Sequence, residues 1–96
     1  MSDLTMLIAA AISAFQAIDA KYYKADMNTR ATLADDRNKA ANAVLKLRDK
    51  QIELDTTINA ADIAEMNKLA ADVKDGADLQ GDITKLMGIL AKYVPV

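Results

Sequence analysis

The first 75 residues of this 96-residue chain contain neither Gly nor Pro, and Gly76, Gly81, Gly88 and Pro95 all lie near the C-terminal end. Gly and Pro are the residues that most strongly interrupt helices. Much of the hydrophobic fraction of 52% is Ala, the best helix former, and only 4% of the residues are aromatic. The sequence therefore predicts an all-α fold, a small antiparallel bundle of three to four helices with coiled-coil-like packing.

The spacing of the apolar residues predicts four helices, near residues 3–25, 29–55, 60–75 and 82–93, in a single domain spanning 1–96. The first helix has a heptad pattern with spacings 4-3-4-3-4, formed by Leu4, Ile8, Ala11, Phe15, Ile18 and Tyr22. The second helix has its own apolar stripe, formed by Leu33, Ala40, Val44, Leu47, Leu54 and Ile58 and widened by Ala41, Leu45 and Ile52. Arg37 and Gln51 occupy the two remaining positions of that stripe, where a polar group can fix register or partner choice. For both, we favour the simpler interpretation that they lie at the rim and reach solvent.

The heptad phase slips near residues 26–29 and again near 55–59, where Asp, Asn and Thr are concentrated. These side chains favour helix caps and turns, because they compete for backbone hydrogen bonds. We therefore predict breaks there, although a continuous bent helix is an alternative. The predicted terminal residues are Ser2 or Asp3 before the first helix, Thr57 or Asn59 before the third, Gly76 after the third, Asp82 before the last and Pro95 after it.

The composition argues against catalysis. The chain has no His and no Cys, so the commonest general base, the thiol nucleophile and the usual zinc ligands are all missing. No Gly-rich phosphate loop and no Glu-x-x-His pair is present. A chain this short has a marginal core and no disulfide to support it. We therefore expect a non-enzymatic protein without cofactors that forms a homo-oligomer or binds a protein partner.

Charge is distributed unevenly along the chain, although the net charge is only −2. Residues 21–50 contain eight basic and four acidic residues, and residues 59–82 contain six acidic and two basic ones. The two halves can attract one another within the chain or between subunits. Neither half is charged strongly enough to predict nucleic-acid binding.

Residues 4–18 are strongly apolar, as are signal peptides and transmembrane helices. Its only preceding charge is Asp3, whereas a signal peptide has basic residues there, and a spanning helix needs about 20 apolar residues. Its lack of a basic polar face argues against a membrane-surface role. We expect a core helix in a cytoplasmic protein without a signal peptide or transmembrane segment.

Two segments suggest binding sites. In the first, Lys21, Tyr22, Tyr23 and Lys24 pair two aromatic rings with two cations, and Arg30, Arg37 and Lys39 follow nearby, which makes a small anion or nucleotide site between helices an alternative function. In the second, the Asp-rich stretch 72–82 suggests calcium, but its spacing does not fit an EF-hand loop, so capping and solvation explain these acids better. The predicted interaction residues are Leu4, Ile8, Phe15, Lys21, Tyr22, Tyr23, Lys24, Arg37 and Gln51.

These patterns favour a self-associating interaction module, such as a small adaptor, a chaperone or a phage-type inhibitor. The alternative is a subunit of a helical filament or of a secretion or virion assembly. Residues 84–93 resemble the tail of type III secretion needle subunits, although the Pro-containing turn between the two helices of those subunits has no counterpart here.

Overall fold

The computed structural model describes residues 2–50, 57–75 and 78–95. Over these ranges the chain is all-helical without strands, and four helices pack against each other. They are α1 (Asp3–Lys24), α2 (Met27–Asp49), α3 (Ala60–Asp75) and α4 (Leu79–Leu90). The all-α bundle is therefore confirmed. Residues 51–56 and Gly76 lie outside the described residues, and with them the predicted positions of Gln51, Ile52, Leu54 and the Gly76 cap.

The junction between α1 and α2 lies at the predicted first break. Ala25 and Asp26 have extended backbones, with ψ of 161° and 166°. The carboxylate of Asp26 accepts a hydrogen bond from the Thr29 N–H at 2.7 Å, so Asp26 caps α2. Across the same junction, the Tyr22 hydroxyl donates to the Arg30 carbonyl oxygen at 3.1 Å. The carboxylate of Asp26 and the hydroxyl of buried Tyr22 thus stabilise a turn that contains no Gly.

The other caps agree with the sequence prediction for α1 and α3 but not for α4. Ser2 caps α1, and the Asn59 side chain accepts from the Ala61 N–H at 2.9 Å. For α4, the cap is Asp78, not Asp82, because Asp78 accepts from the Gly81 N–H at 2.9 Å. A Cβ at Gly81 would collide with that carboxylate, so Gly81 belongs inside the first turn. The helix therefore starts earlier than predicted, and it ends at Leu90, before the turns of residues 91–93.

The four helices do not contact one another equally. Both α1 and α4 contact all three other helices, with the most extensive packing between α1 and α3, whereas α2 and α3 hardly meet. The core between them is aliphatic, and its most deeply buried side chains are Leu7, Ile18, Leu47, Met66, Leu69, Val73, Ile83, Leu86 and Leu90. As a consequence, α2 is covered by neighbours on one side only.

Burial largely follows the predicted stripes, with differences on both α1 and α2. On α1 the heptad residues are buried except Phe15, which is partly buried, and Ala10 and Ala14 are buried beside them. On α2, Ala41 and Leu45 were predicted to widen the buried stripe, but Ala41 is only partly buried and Leu45 is 45% exposed. Ala43 lies in the core instead. Ile58 is buried, but it lies in the segment preceding α3 and not on α2.

By length and composition, α1 is apolar enough to cross a membrane, and among the described residues it is the one helix of which this is true. The core helix of a soluble protein and a signal sequence pass the same test, so this is weak evidence for a span. Eight residues of α1 are buried within the bundle.

Candidate functional site

A second apolar stripe runs along α2, almost opposite the side that faces the core. Its residues repeat with spacings 4-3-4-3-4, a heptad pattern. We call it the outer seam: Met27, Ala31, Ala34, Asn38, Ala41 and Leu45. All six are exposed or partly exposed. The inner face, by contrast, consists of Leu33, Ala40, Ala43, Val44 and Leu47 and is buried.

The outer seam and its border hold most of the exposed large apolar side chains. In the described part of the chain these are Met6, Tyr23, Met27 and Leu45. Met27, 76% exposed, and Leu45, 45% exposed, lie at the two ends of the seam, and Tyr23, 60% exposed, lies beside it. Single exposed apolar residues are ordinary, but several on one helix face form a patch of the kind that binds other proteins.

A groove of about 370 Å³ opens where the end of α1 meets α2. Its lining includes the first four residues of the outer seam, so the groove and the seam form one continuous surface. The lining residues are Tyr22, Tyr23, Met27, Arg30, Ala31, Ala34, Arg37 and Asn38. Aromatic, Met and Arg side chains of this kind are enriched at protein interfaces.

Arg37 joins α2 to α1 at the wall of this groove. Its Nε and Nη2 donate to the two carboxylate oxygens of Asp19, at 2.8 and 3.0 Å. The guanidinium carbon lies 5.2 Å from the ring centre of Phe15 and 5.8 Å from that of Tyr23. Hydrogen bonding to Asp19 raises the pKa of Arg37. Arg37 is therefore anchored between helices, in place of the predicted solvent-reaching side chain at the rim.

The three partners of Arg37 on α1 follow a pattern that sequence reasoning missed. Phe15, Asp19 and Tyr23 are spaced four residues apart and lie on one strip of α1. Such a strip of aromatic, acid and aromatic side chains fits the flat face and the two-pronged edge of a guanidinium. The spacing was visible in the sequence, but which Arg would occupy the strip depended on how α1 and α2 are aligned.

The residues from Lys21 to Lys24 do not converge on one site. Tyr22 is buried, while Tyr23 is exposed and meets Tyr22 edge to face at 5.2 Å between ring centres. Both tyrosines line the groove, but neither lysine does. Lys24 is exposed. Lys21 is partly buried, and its positive charge lowers the pKa of Asp82, against the larger effect of burial, which raises it.

Among the other predicted interaction residues, Leu4 and Ile8 lie in the bundle's own core, 7% and 6% exposed. Both side chains pack within the chain. Gln51 lies outside the described residues.

A buried acid at the start of α3 was also missed by sequence reasoning. Asp62 is 4% exposed, accepts a hydrogen bond from the Tyr93 hydroxyl, and pairs with the Lys92 ammonium at 2.9 Å. The Tyr93 hydroxyl in turn accepts from the Asn59 N–H at 3.2 Å. These bonds, Tyr93 first and Lys92 second, lower the pKa of Asp62. These contacts hold the C-terminal turn against the start of α3.

No group of three or more His, Cys, Asp or Glu in position to hold a metal ion is found among the described residues. Burial, followed by the charge of Asp78, raises the pKa of Asp82.

Comparisons with protein-family models, with curated proteins and with solved structures find no match to this chain.

Proposed function

We propose that this chain is a non-enzymatic protein–protein interaction module, a small self-associating helical bundle of the adaptor, chaperone or phage-type inhibitor kind, which binds through the outer seam of α2. The observation behind this proposal is the apolar heptad stripe on α2, whose six residues are all exposed or partly exposed. Recognition of one helix by another uses such a face, with apolar anchors at heptad spacing.

The chemistry of the surface supports protein as the occupant. Large side chains at both ends, Met27 and Leu45, enclose a centre of small residues, so a partner helix can approach the backbone closely between two anchors. Tyr23 and Arg30 extend the surface along the groove. An apolar centre bordered by aromatic and Arg side chains is the usual composition of a protein interface.

The alternative, a small anion or nucleotide bound near Lys21 to Lys24, has less support. Of the two guanidinium groups in the groove, that of Arg37 is already paired with Asp19. The lysines lie outside the groove lining. An anion there would have Arg30 as its principal charged contact.

Site-specific photo-cross-linking tests the proposed function. A benzophenone amino acid replaces Ala31, which is exposed on the outer seam, and in a matched control it replaces Asn67, which is exposed on α3. We expect irradiation of the cells that make the protein to give a discrete adduct from position 31 and none from position 67. Adding Leu45→Asp should abolish the adduct. Equal labelling at both positions, or none at position 31, would contradict the proposal.

A further inference from the structure

The outer seam has the features of a two-stranded coiled coil, in which the apolar positions of each heptad are designated a and d. Spacings of 4-3-4-3-4 place Ala31, Asn38 and Leu45 at a, and Met27, Ala34 and Ala41 at d. Asn38 is therefore the single polar residue of the stripe, at its middle a position. An Asn there is the known means by which parallel two-stranded coils fix their register, because its amide pairs with the same amide of the other strand.

The residues that flank the seam carry different charges on its two sides. On one side, at the heptad positions called g, lie Arg30 and Arg37; on the other, at e, lie Asp35 and Asn42. Arg30 is partly buried and its charge helps to lower the pKa of Asp26, and Asp35 is exposed on the opposite flank.

This asymmetry distinguishes the two orientations of a self-paired α2. In a parallel pair, each g residue faces the e residue five positions further along the other strand, so Arg30 meets Asp35 of the second copy and Arg37 meets Asn42. In an antiparallel pair centred between Ala34 and Asn38, like flanks meet. Arg37 would then face Arg37 of the second copy, Arg30 would face Val44 and find no acid, and Asn38 would face the methyl group of Ala34.

We infer that the occupant of the outer seam is a second copy of this chain, with the two α2 helices parallel and in register about Asn38. The inference depends on the proposed function, since it takes the outer seam as the interaction surface and identifies the partner. Charge complementarity between Arg30 and Asp35 and the self-pairing amide of Asn38 are its two independent supports.

The dimer is expected to be reversible. A standard interface buries about 800 Å² on each partner, which would be about a seventh of the 5670 Å² that one copy exposes. The seam has Ala at three of its six positions, so its apolar area is small, and Tyr23 adds contact at one border only. We therefore expect dimerisation that depends on protein concentration.

Cysteine cross-linking tests the arrangement, because the natural chain contains no Cys. Three single variants, Ala31→Cys, Ala34→Cys and Ala41→Cys, are oxidised separately, with Asn67→Cys as the control on α3. A parallel pair in register places like positions opposite each other, so each seam variant should form a disulfide-linked dimer and the control should not. In the antiparallel pair, residue 31 would lie about 15 Å from its own copy along the axis, too far for a disulfide, which needs Cα atoms within about 7 Å.

A mixture of Ala31→Cys and Ala41→Cys provides the opposite signal. An antiparallel pair would give the mixed dimer in preference to either like dimer, and that result would overturn the inference. Sedimentation that shows a series of assemblies larger than a dimer would indicate an open filament and would overturn the inference too.

Charge reversal tests the flanks without relying on disulfides. Arg30→Glu should lower the fraction of dimer in sedimentation experiments, and the further change Asp35→Arg should restore it. Circular dichroism shows whether each variant keeps its helices. No recovery in the double variant, with helicity intact, would contradict the parallel register.

The failure of this inference is distinguishable from failure of the proposed function. A chain that stays monomeric at every concentration, but gives an adduct with a different protein from position 31, overturns self-association in both proposals and leaves the outer seam as an interaction surface. A monomer that gives no adduct at all overturns both.

Discussion

The two faces of α2 use nearly the same residue types and differ in what covers them. The inner face combines Ala with Leu and Val and is enclosed by α1 and α4, and the outer seam combines Ala with Met, Leu and one Asn and faces solvent. Apolar periodicity therefore identifies a face that can pack against a helix. It does not indicate whether the partner helix belongs to the same chain.

The arrangement of the bundle explains why one face is left uncovered. α2 and α3 occupy opposite corners, with α1 and α4 between them. Each corner helix then has neighbours on one side only, and no described helix remains to cover the other side. The following predictions test how far the two faces differ.

The largest expected difference is between two leucines on the same helix. Leu47 is fully buried on the inner face, so Leu47→Ala should lower the free energy of unfolding by about 2 to 5 kcal/mol. Leu45 is 45% exposed on the outer seam, so Leu45→Ala should change it by less than about 0.5 kcal/mol at dilutions where the chain is monomeric. Urea unfolding measures both. Similar losses in the two variants would show that the outer seam is covered within the chain.

Removing the charge of Asp62 should lower the stability of the bundle while leaving the outer seam intact. Asp62→Asn loses the carboxylate that Tyr93 and Lys92 contact, and we expect a loss of about 1 to 2 kcal/mol at neutral pH. The same urea titration measures it. The control is Asp72→Asn, an exposed acid on the same helix, which should change stability little.

Lowering the pH should also show how much Asp62 contributes to stability. Because the folded pKa of Asp62 is below its ordinary value of 3.8, the stability it contributes is complete above that value and is lost as pH falls through the lowered pKa. Asp26 has the same sign, while Asp82, with its raised pKa, opposes them as the pH falls. Asp62→Asn should therefore flatten the fall in melting temperature below about pH 4. An unchanged acid slope would contradict the role of Asp62.

Arg37 lies on the boundary between the two faces. Arg37→Ala removes the paired hydrogen bonds to Asp19 and the ring contacts, and should cost about 1 kcal/mol, because the pair is partly exposed to water. Lys39→Ala, an exposed neighbour, serves as the control. Thermal unfolding compares them. Equal effects would mean that the Asp19 pair contributes nothing to joining α1 and α2.

Local signals in the sequence predicted much of this structure. The missing Gly and Pro predicted long helices, and the phase slip near Asp26 predicted the first turn, because both are properties of neighbouring residues. The Asp62 group could not be predicted, since Lys92 and Tyr93 are about 30 residues away along the chain, and the choice of Asp78 over Asp82 as a cap depended on which backbone N–H each acid could reach. The outer seam was visible as a heptad pattern, but the pattern does not show which of two stripes the chain itself buries.

The smallest effect on the bundle is expected at Asn38, where the two faces differ most in chemistry. Asn38 is exposed, and its oxygen accepts a bond from Arg37 at 3.1 Å, so Asn38→Val should change monomer stability by less than about 0.5 kcal/mol. Association should respond differently. A Val at an a position strengthens apolar pairing but removes the amide that selects the register. Sedimentation should therefore show more dimer, and oxidation of Ala31→Cys mixed with Ala41→Cys, each carrying Asn38→Val, should give mixed dimers that the Asn38 chains do not form. Less dimer in Asn38→Val would mean that the seam does not pair as a coiled coil.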